Sequence, residues 1–325
     1  MPVRVRFTVE ENYRGWRLDR YLCQKIRRLS REQAKRLIEE RLEVLGGAPA
    51  RLKPSSRVLP GLTFALLREA EPEPETPLEF RVVHDDGALL VVDKPAGLPV
   101  HPTARYFAHT FTALARQSFP DRKVDPAHRL DRETSGLLAC GCAPEHTRAL
   151  KLSFARCEVE KTYLALALGS PPAEAFLVDA PLGLTQASAV RVRMHVDPQG
   201  LEARTRFTVL GRRFAADGAP VVLLACAPET GRQHQIRAHL HHAGLPVVGD
   251  KIYGPDEALF DRFTRRALSA EDRALLRLDR QALHAHRLAL PHPVTRERVL
   301  LESPLPADLA AFWESCARPG TASLA

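Results

Sequence analysis

No stretch of this 325-residue sequence approaches the ~18 consecutive apolar residues that a membrane-spanning helix needs, so no such helix is expected. The opening MPVRVRFTVEENYRGW lacks the apolar core of a secretion signal, and the expected compartment is the cytoplasm. Cys23, Cys140, Cys142, Cys157, Cys226 and Cys316 are scattered without a C-x-x-C pair, which argues against both a disulfide framework and a zinc ribbon. A G-x-x-x-x-G-K-[ST] loop is missing, as is any G-x-G-x-x-G after a strand. Nucleotide and dinucleotide binding therefore have no sequence support, and cofactor-free chemistry is expected. HQIRAHLHH is rich in histidine but lacks H-E-x-x-H; on a helix His239 and His242 share a face while His234 projects elsewhere, so no metal site is expected.

What is present is an ordinary globular composition, 45% hydrophobic and 26% charged, in a chain long enough for about two domains. The net charge of +8 favours a polyanionic partner, and its placement is informative. Residues 14–41 hold ten Lys or Arg against four acids. Leu18, Tyr21, Leu22 and Ile26 recur at helical spacing, and Ser30 with Gln33 forms a capping box opening a second helix with Ala34, Leu37 and Ile38 inward. LEVLGGAPAR and VLPGLTFALL follow as β-prone runs with Gly and Pro punctuation, so 14–68 reads as helix-helix-hairpin, Gly46-Gly47 suiting a tight turn. A charge run of this kind is often only a solvated face. Here RLDRYL, LSREQAKRLIEE and the Pro-Gly before the last strand together resemble the S-four type RNA-binding domain.

EAEPEPETPL, residues 69–78, alternates acids with prolines and has the composition of an extended linker. The expected organisation is an N-terminal segment 1–13, a small α+β domain 14–70, a linker 71–78, a larger domain 79–315 and a tail 316–325. RVVHDDGALLVVDKPAG reads as a buried strand ended by Pro95, with further strands at GLLACGCA, TYLALALG, ARTRFTVLGRR and VVLLACAP and helices at 109–117, 145–155 and 233–243. Strands cluster without strict β-α-β alternation, which predicts an α+β fold with a mixed, largely antiparallel central sheet.

HRLDRETSGLL, residues 128–138, sets Asp131 among Arg129, Arg132 and Glu133. Arg237 shares a helical face with His234 and His241, and Gly244 suits the end of that helix. A cation on that helix can reach a carboxylate from a distant loop and keep it ionised, or form a surface ion pair worth ~0–1 kcal/mol. Spacing alone leaves both open.

VVDKPAGLPVHP, HRLDRETSGLL, EKTYLALALG, TGRQHQIRAHLHHAGLPVVGDKIYG and LHAHRLALPHP occur in the order seen in RluA-type pseudouridine synthases, a resemblance that covers nearly all of 80–295. Gln233 and Ala238 depart from the usual motif residues without removing a reacting group. The resemblance implies isomerisation of uridine in RNA, without a cofactor, by a protein expected to be monomeric. Large-subunit ribosomal RNA is the expected substrate, with transfer RNA as the alternative. It places the catalytic aspartate at Asp131, the active-site tyrosine at Tyr163, the pairing arginine at Arg237, and Arg129 near the flipped nucleotide. His128, Arg132, Lys94, His101, Arg232 and His234 are expected to contact RNA, as are Arg27, Arg28, Arg31, Lys35 and Arg36 of the basic helices. Whether Asp131 attacks the ribose or the base stays open at this level.

Two other function classes are weaker. A pure RNA-binding protein would have no use for Asp131, Tyr163 and Arg237 together. A glycoside hydrolase pairing Asp131 with Glu133 needs ~5–9.5 Å between carboxylates across a sugar cleft, and a basic chain with 6% aromatics suits carbohydrate poorly.

Overall fold

The computed structural model describes residues 3–26, 29–46, 51–68, 73–103, 105–185, 188, 190 and 192–319. The chain divides into two compact units, Met1–Glu73 and Pro74–Ala325.

In the first unit β1 (Val3–Thr8), α1 (Leu18–Lys25), α2 (Arg31–Arg41), β2 (Leu42–Gly46) and β3 (Thr63–Arg68) form a three-stranded antiparallel sheet, order β1-β3-β2, packed by two helices. Ser30 caps α2 as its sequence predicts: its hydroxyl accepts from the Gln33 amide and Gln33 returns a bond to the Ser30 amide. Leu18, Tyr21, Leu22, Ala34 and Ile38 pack on Phe64 and Leu66. Two features correct the sequence reading. Val3–Thr8, assigned there to a separate segment, is a strand of this sheet, its alternating Val3, Val5 and Phe7 set opposite β3. Gly46 faces Thr63, so the β2–β3 connection is a long excursion rather than a tight turn; Gly47 lies outside the described residues.

The second unit is built on a sheet that, among the described residues, has ten strands. Its main path joins β4 (Arg81–Asp85), β5 (Leu89–Lys94), β7 (Ser135–Gly141), β14 (Leu283–Pro291), β8 (Glu160–Leu168), β13 (Pro220–Pro228), β12 (Arg204–Phe214) and β9 (Ala175–Asp179) in that order. Two further strands, β6 (Asp125–Pro126) and β15 (Arg298–Glu302), pair with β7 and β14. Among the described strands only the β7–β14 pairing is parallel, so the fold is α+β with a mixed, largely antiparallel sheet. Helices α3 (Phe111–Ser118), α4 (Pro144–Ala155), α5 (Gln235–His242), α6 (Ala258–Thr264), α7 (Ala270–Leu276) and α8 (Ala307–Ser315) flank it, and β10 (Leu182–Leu184) with β11 (Met194–Val196) forms a separate two-stranded ribbon.

RVVHDDGALLVVDK, expected as one strand, is a hairpin: Asp86 accepts the Ala88 and Leu89 amides and Gly87 takes φ 86° at the turn. At the other end, the unit continues past residue 315, because Ala317 exchanges two backbone hydrogen bonds with Phe214. The β7–β14 seam positions the site. Gly136 takes φ 108°, and a Cβ there would lie 2.3 Å from the Ala285 carbonyl oxygen, so only glycine lets the strand leaving the Asp131 loop approach β14 this closely.

Candidate active site

Asp131 lies just before β7, four residues ahead of Ser135, on a turn closed by the Thr134 amide donating to the Asp131 carbonyl, 3.1 Å. The turn is braced from below. Lys94, fully buried at the end of β5, donates to the carbonyls of Pro95, Leu98 and Arg132 at 2.8, 3.0 and 3.2 Å. Glu133 is gripped by Lys251 at 2.9 Å, and Gln281 donates to the Thr134 hydroxyl at 2.6 Å. The turn that carries Asp131 is thus tied to β5 by Lys94, to the loop of Lys251 and to Gln281 just before β14.

Arg237 reaches Asp131 from α5. The start of that helix is fixed by Gln235, whose side chain accepts from the Arg232 amide and the Thr230 hydroxyl and donates to the Arg204 carbonyl. Its end is Gly244, at φ 73°. Arg237, a residue only 4% exposed, donates Nη1 to Asp131 Oδ2 at 2.7 Å and clasps Asp250 through Nε at 2.6 Å and Nη2 at 2.8 Å. Asp250 also accepts the Ile252 and Tyr253 amides, and it sits on a loop that Gly249, φ 74°, brings against the Arg280 carbonyl. A guanidinium held bidentately on one carboxylate has one direction left for the other. Arg237 is therefore a rigid bridge between the fully buried Asp250 carboxylate and the partly exposed Asp131 carboxylate.

The electrostatics follow. Burial would raise the Asp131 carboxyl, but the charge and hydrogen bond of Arg237, with the nearby Gln281 amide, hold it below the ordinary carboxylate value. Asp250 is likewise pushed up by burial and pulled below its ordinary value by Arg237. Tyr163, on β8 opposite Ala285 and Cys226, is raised by burial and by the charge of Asp131, and stays a neutral phenol within electrostatic reach of that carboxylate. Its hydroxyl makes no hydrogen bond among the described residues.

Around this centre, His234 precedes α5 in the left-handed region, φ 55° and ψ 17°, with Nε2 3.9 Å from Asp131 Oδ1 and Nδ1 3.1 Å from the Tyr253 hydroxyl. Arg129 is exposed, makes no ion pair among the described residues, and its charge reaches both His101 and His234. His101 is exposed too, and Arg232 holds the Glu202 carbonyl through Nε, its other guanidinium nitrogens making no hydrogen bond among the described residues. In the first unit Arg31, Lys35 and Arg36 project from α2, with side chains 66%, 43% and 78% exposed, near Asp19, Glu32 and Glu40. Arg27 and Arg28 lie outside the described residues.

Three expected RNA contacts are turned to other uses. Lys94 has no exposed surface: burial pulls its ammonium down to about 7, and three carbonyls take its donors. His128 turns inward, stacks on Phe154 at 4.6 Å and accepts the Ala139 amide on Nε2, which fixes it as neutral; burial pushes it down to about 3. Arg132 lies 5.2 Å over the Phe263 ring and donates to the Tyr106 hydroxyl and to Glu133. Two of the three histidines that follow His234 on α5 are likewise engaged, His239 with Thr205 and the Ala180 carbonyl and His241 with the Tyr253 carbonyl, while His242 is exposed. Among the described residues no cluster of three or more metal-ligating side chains forms. Asp250, Lys251, Tyr253 and Gln281 were missed as site residues, although the first three lie within the quoted GDKIYG.

Residues 88–242 match the RNA pseudouridylate synthase family. The chain is 35% identical to ribosomal large subunit pseudouridine synthase D of Nitrosomonas europaea, covering 96% of this chain and 87% of the relative. It is 36% identical to the protein of that name from Pseudomonas aeruginosa, covering 90% of each. Among solved structures, human RNA pseudouridylate synthase domain containing 1 superposes with a TM-score of 0.59 at 26% identity, over 75% of this chain and 91% of that one. Sequence and fold thus agree, and the chain belongs to the RluA-type family of RNA pseudouridine synthases, which makes it an isomerase.

Proposed function

We propose that this enzyme converts specific uridines of structured RNA, in the large ribosomal subunit, to pseudouridine with Asp131 as the reacting carboxylate. The observation that carries this reading is the Asp131–Arg237 pair with Arg237 locked on Asp250, which keeps a partly exposed acid ionised and fixed in direction. The relatives' names, which specify the large ribosomal subunit, support the substrate class.

The reaction breaks the bond from ribose C1′ to uracil N1, turns the base, joins C1′ to C5, removes the C5 proton and returns a proton to N1. It needs no net oxidant or reductant. The uridine is flipped from its stack at a cost of a few kcal/mol. Asp131 assists departure of the base as a carboxylate. Tyr163 offers a ring face for uracil and a protonated hydroxyl for relaying the C5 proton. Arg129, exposed two residues before Asp131, suits the phosphate or the vacated position in the stack.

Mapping pseudouridines across total RNA with and without the gene tests the proposal; the expected result is loss of one or a few sites in large-subunit ribosomal RNA. An unchanged map would refute it. The pH profile is a second check. A carboxylate held below its ordinary value keeps its charge well into acid, and His234, pushed down to about 4 by burial, stays neutral there too. The single-turnover rate should therefore stay level from about pH 6.5 to about pH 5, whereas a carboxylate raised by burial would give an acid limb near pH 6.

The first unit is proposed to be the S-four type RNA-binding domain, α2 supplying phosphate contacts. Replacing Arg31, Lys35 and Arg36 together by Gln in the full chain should weaken RNA binding and reduce the slope of log K against log[salt] by roughly 2–3, since each lost phosphate contact removes about 0.7–0.9. An unchanged slope would assign binding elsewhere.

A further inference from the structure

His234 is placed for more than general RNA contact. Its backbone occupies the left-handed region, which a non-glycine residue adopts only where the surrounding structure holds it there. Its ring is set by Tyr253, a fully buried residue whose hydroxyl accepts the Met194 amide at 2.8 Å and lies 3.1 Å from His234 Nδ1. The Met194 amide can only donate, so the phenol must accept there. If Nδ1 also donated, the phenolic proton would have no acceptor among the described residues; the satisfied arrangement has Tyr253 donating to Nδ1. The ring is then the neutral tautomer with its proton on Nε2. Burial, which keeps both His234 and Tyr253 uncharged, agrees with this.

That Nε2–H has no acceptor within hydrogen-bond distance among the described residues. It stands 3.9 Å from Asp131 Oδ1, too far for a direct bond; Arg237 is on Oδ2, the Gln281 amide lies near the carboxylate, and among the described residues Oδ1 accepts no hydrogen bond of ordinary length. A fixed donor and an open acceptor thus face each other across a gap that one oxygen atom, about 2.8 Å from each, can fill. The filling group must accept from Nε2 and donate to the carboxylate. A uracil carbonyl can only accept and the uracil N3–H can only donate, whereas a hydroxyl does both. In an internal nucleotide the 3′ oxygen is esterified, and the one free ribose hydroxyl is the 2′.

We propose that His234 Nε2–H and Asp131 Oδ1 bracket the 2′-hydroxyl of the flipped uridine, forming a ribose-recognition site whose tautomer is set by the Met194–Tyr253–His234 relay. This rests on the reading of Asp131 as the reacting carboxylate and adds to it a basis for choosing RNA over DNA. His234 and Asp131 touch substrate; Tyr253 is a positioning residue.

The test is a cycle between protein and substrate. The full-length enzyme and His234→Ala are compared, in single turnover, on a synthetic stem-loop carrying the mapped uridine and on the same stem-loop with 2′-deoxyuridine there. Intrinsic reactivity of the two sugars cancels in the ratio of ratios. Wild type is expected to lose roughly 10–100-fold on removal of the hydroxyl, and His234→Ala roughly 5–10-fold less than wild type, because its hydroxyl has lost the His234 donor and keeps only the Asp131 acceptor. His234→Gln, whose Nε2–H can take the place of the imidazole donor, should regain the discrimination. Equal ratios in wild type and His234→Ala would overturn the proposal.

Because a variant at a left-handed position can fold poorly, the tautomer is also read in the wild-type chain by ¹H–¹⁵N correlation of labelled histidines at neutral pH. The His234 signal, identified by its loss in His234→Gln, should be that of Nε2–H and should become mixed in Tyr253→Phe. An Nδ1–H or imidazolium signal would overturn the proposal. Neither result depends on whether Asp131→Asn is inactive, so failure of the aspartate assignment is seen separately.

Discussion

Asp131→Asn is expected to bind its RNA within about 3-fold of wild type and to form pseudouridine at least ~10⁴-fold more slowly, the scale of losing a group that does the chemistry. The substitution is nearly isosteric, and the surrounding frame does not depend on the charge. Arg237 keeps both bonds to Asp250, Lys94 keeps its three carbonyls, and Glu133 keeps Lys251. An asparagine carbonyl can still accept from Arg237 Nη1. What disappears is the anionic oxygen. The loss should therefore sit in the rate at saturating enzyme and not in binding, with a melting temperature close to wild type. Wild-type turnover by purified Asp131→Asn would end the assignment. Loss of activity with a large fall in melting temperature would mark a folding defect instead, which the retained frame argues against.

The parts of this site differ in how far the sequence exposes them. Local rules sufficed for the Ser30–Gln33 cap and for β7, because neighbours within four residues decide them. The Asp131–Arg237 pair is separated by 106 residues, and no periodicity joins them; it became readable only because several blocks occur in a recognisable order. Order assigns a residue to a site but not the direction of its side chain. Lys94 and His128 belong to those blocks, yet one is enclosed by three carbonyls and the other is stacked on Phe154. Asp250 failed in the opposite sense. In GDKIYG it looks like a solvated turn residue, and only the close approach of Gly249 to Arg280 encloses it. The β4–β5 hairpin was missed although Asp86 and Gly87 carry its turn chemistry, because the flanking apolar runs read as one strand across them.

Asp250→Ala is expected to be the most damaging substitution for stability in the catalytic unit. It removes two bonds from the guanidinium of Arg237, a residue 4% exposed, and leaves that cation with Asp131 as its remaining carboxylate partner among the described residues. Deleting one partner of a buried pair costs about 3–5 kcal/mol, mostly because the other charge stays buried without compensation. At roughly 2–4 °C per kcal/mol for a unit of this size, the melting temperature should fall by about 6–20 °C. The pH dependence has a definite sign. Asp250 is held below its ordinary value, so its contribution is present above the unfolded-state pKa and is lost as pH falls through the folded one. The gap between wild type and Asp250→Ala should thus be widest near neutrality and narrow below about pH 4. Activity should fall as well, by roughly 10²-fold in the fraction that remains folded, because an Arg237 released on one side no longer fixes Asp131 to within an ångström. Thermal melts across pH with single-turnover rates decide the matter. A variant that melts within about 2 °C of wild type at neutral pH and reacts at the wild-type rate would mean that Arg237 is held by something other than Asp250.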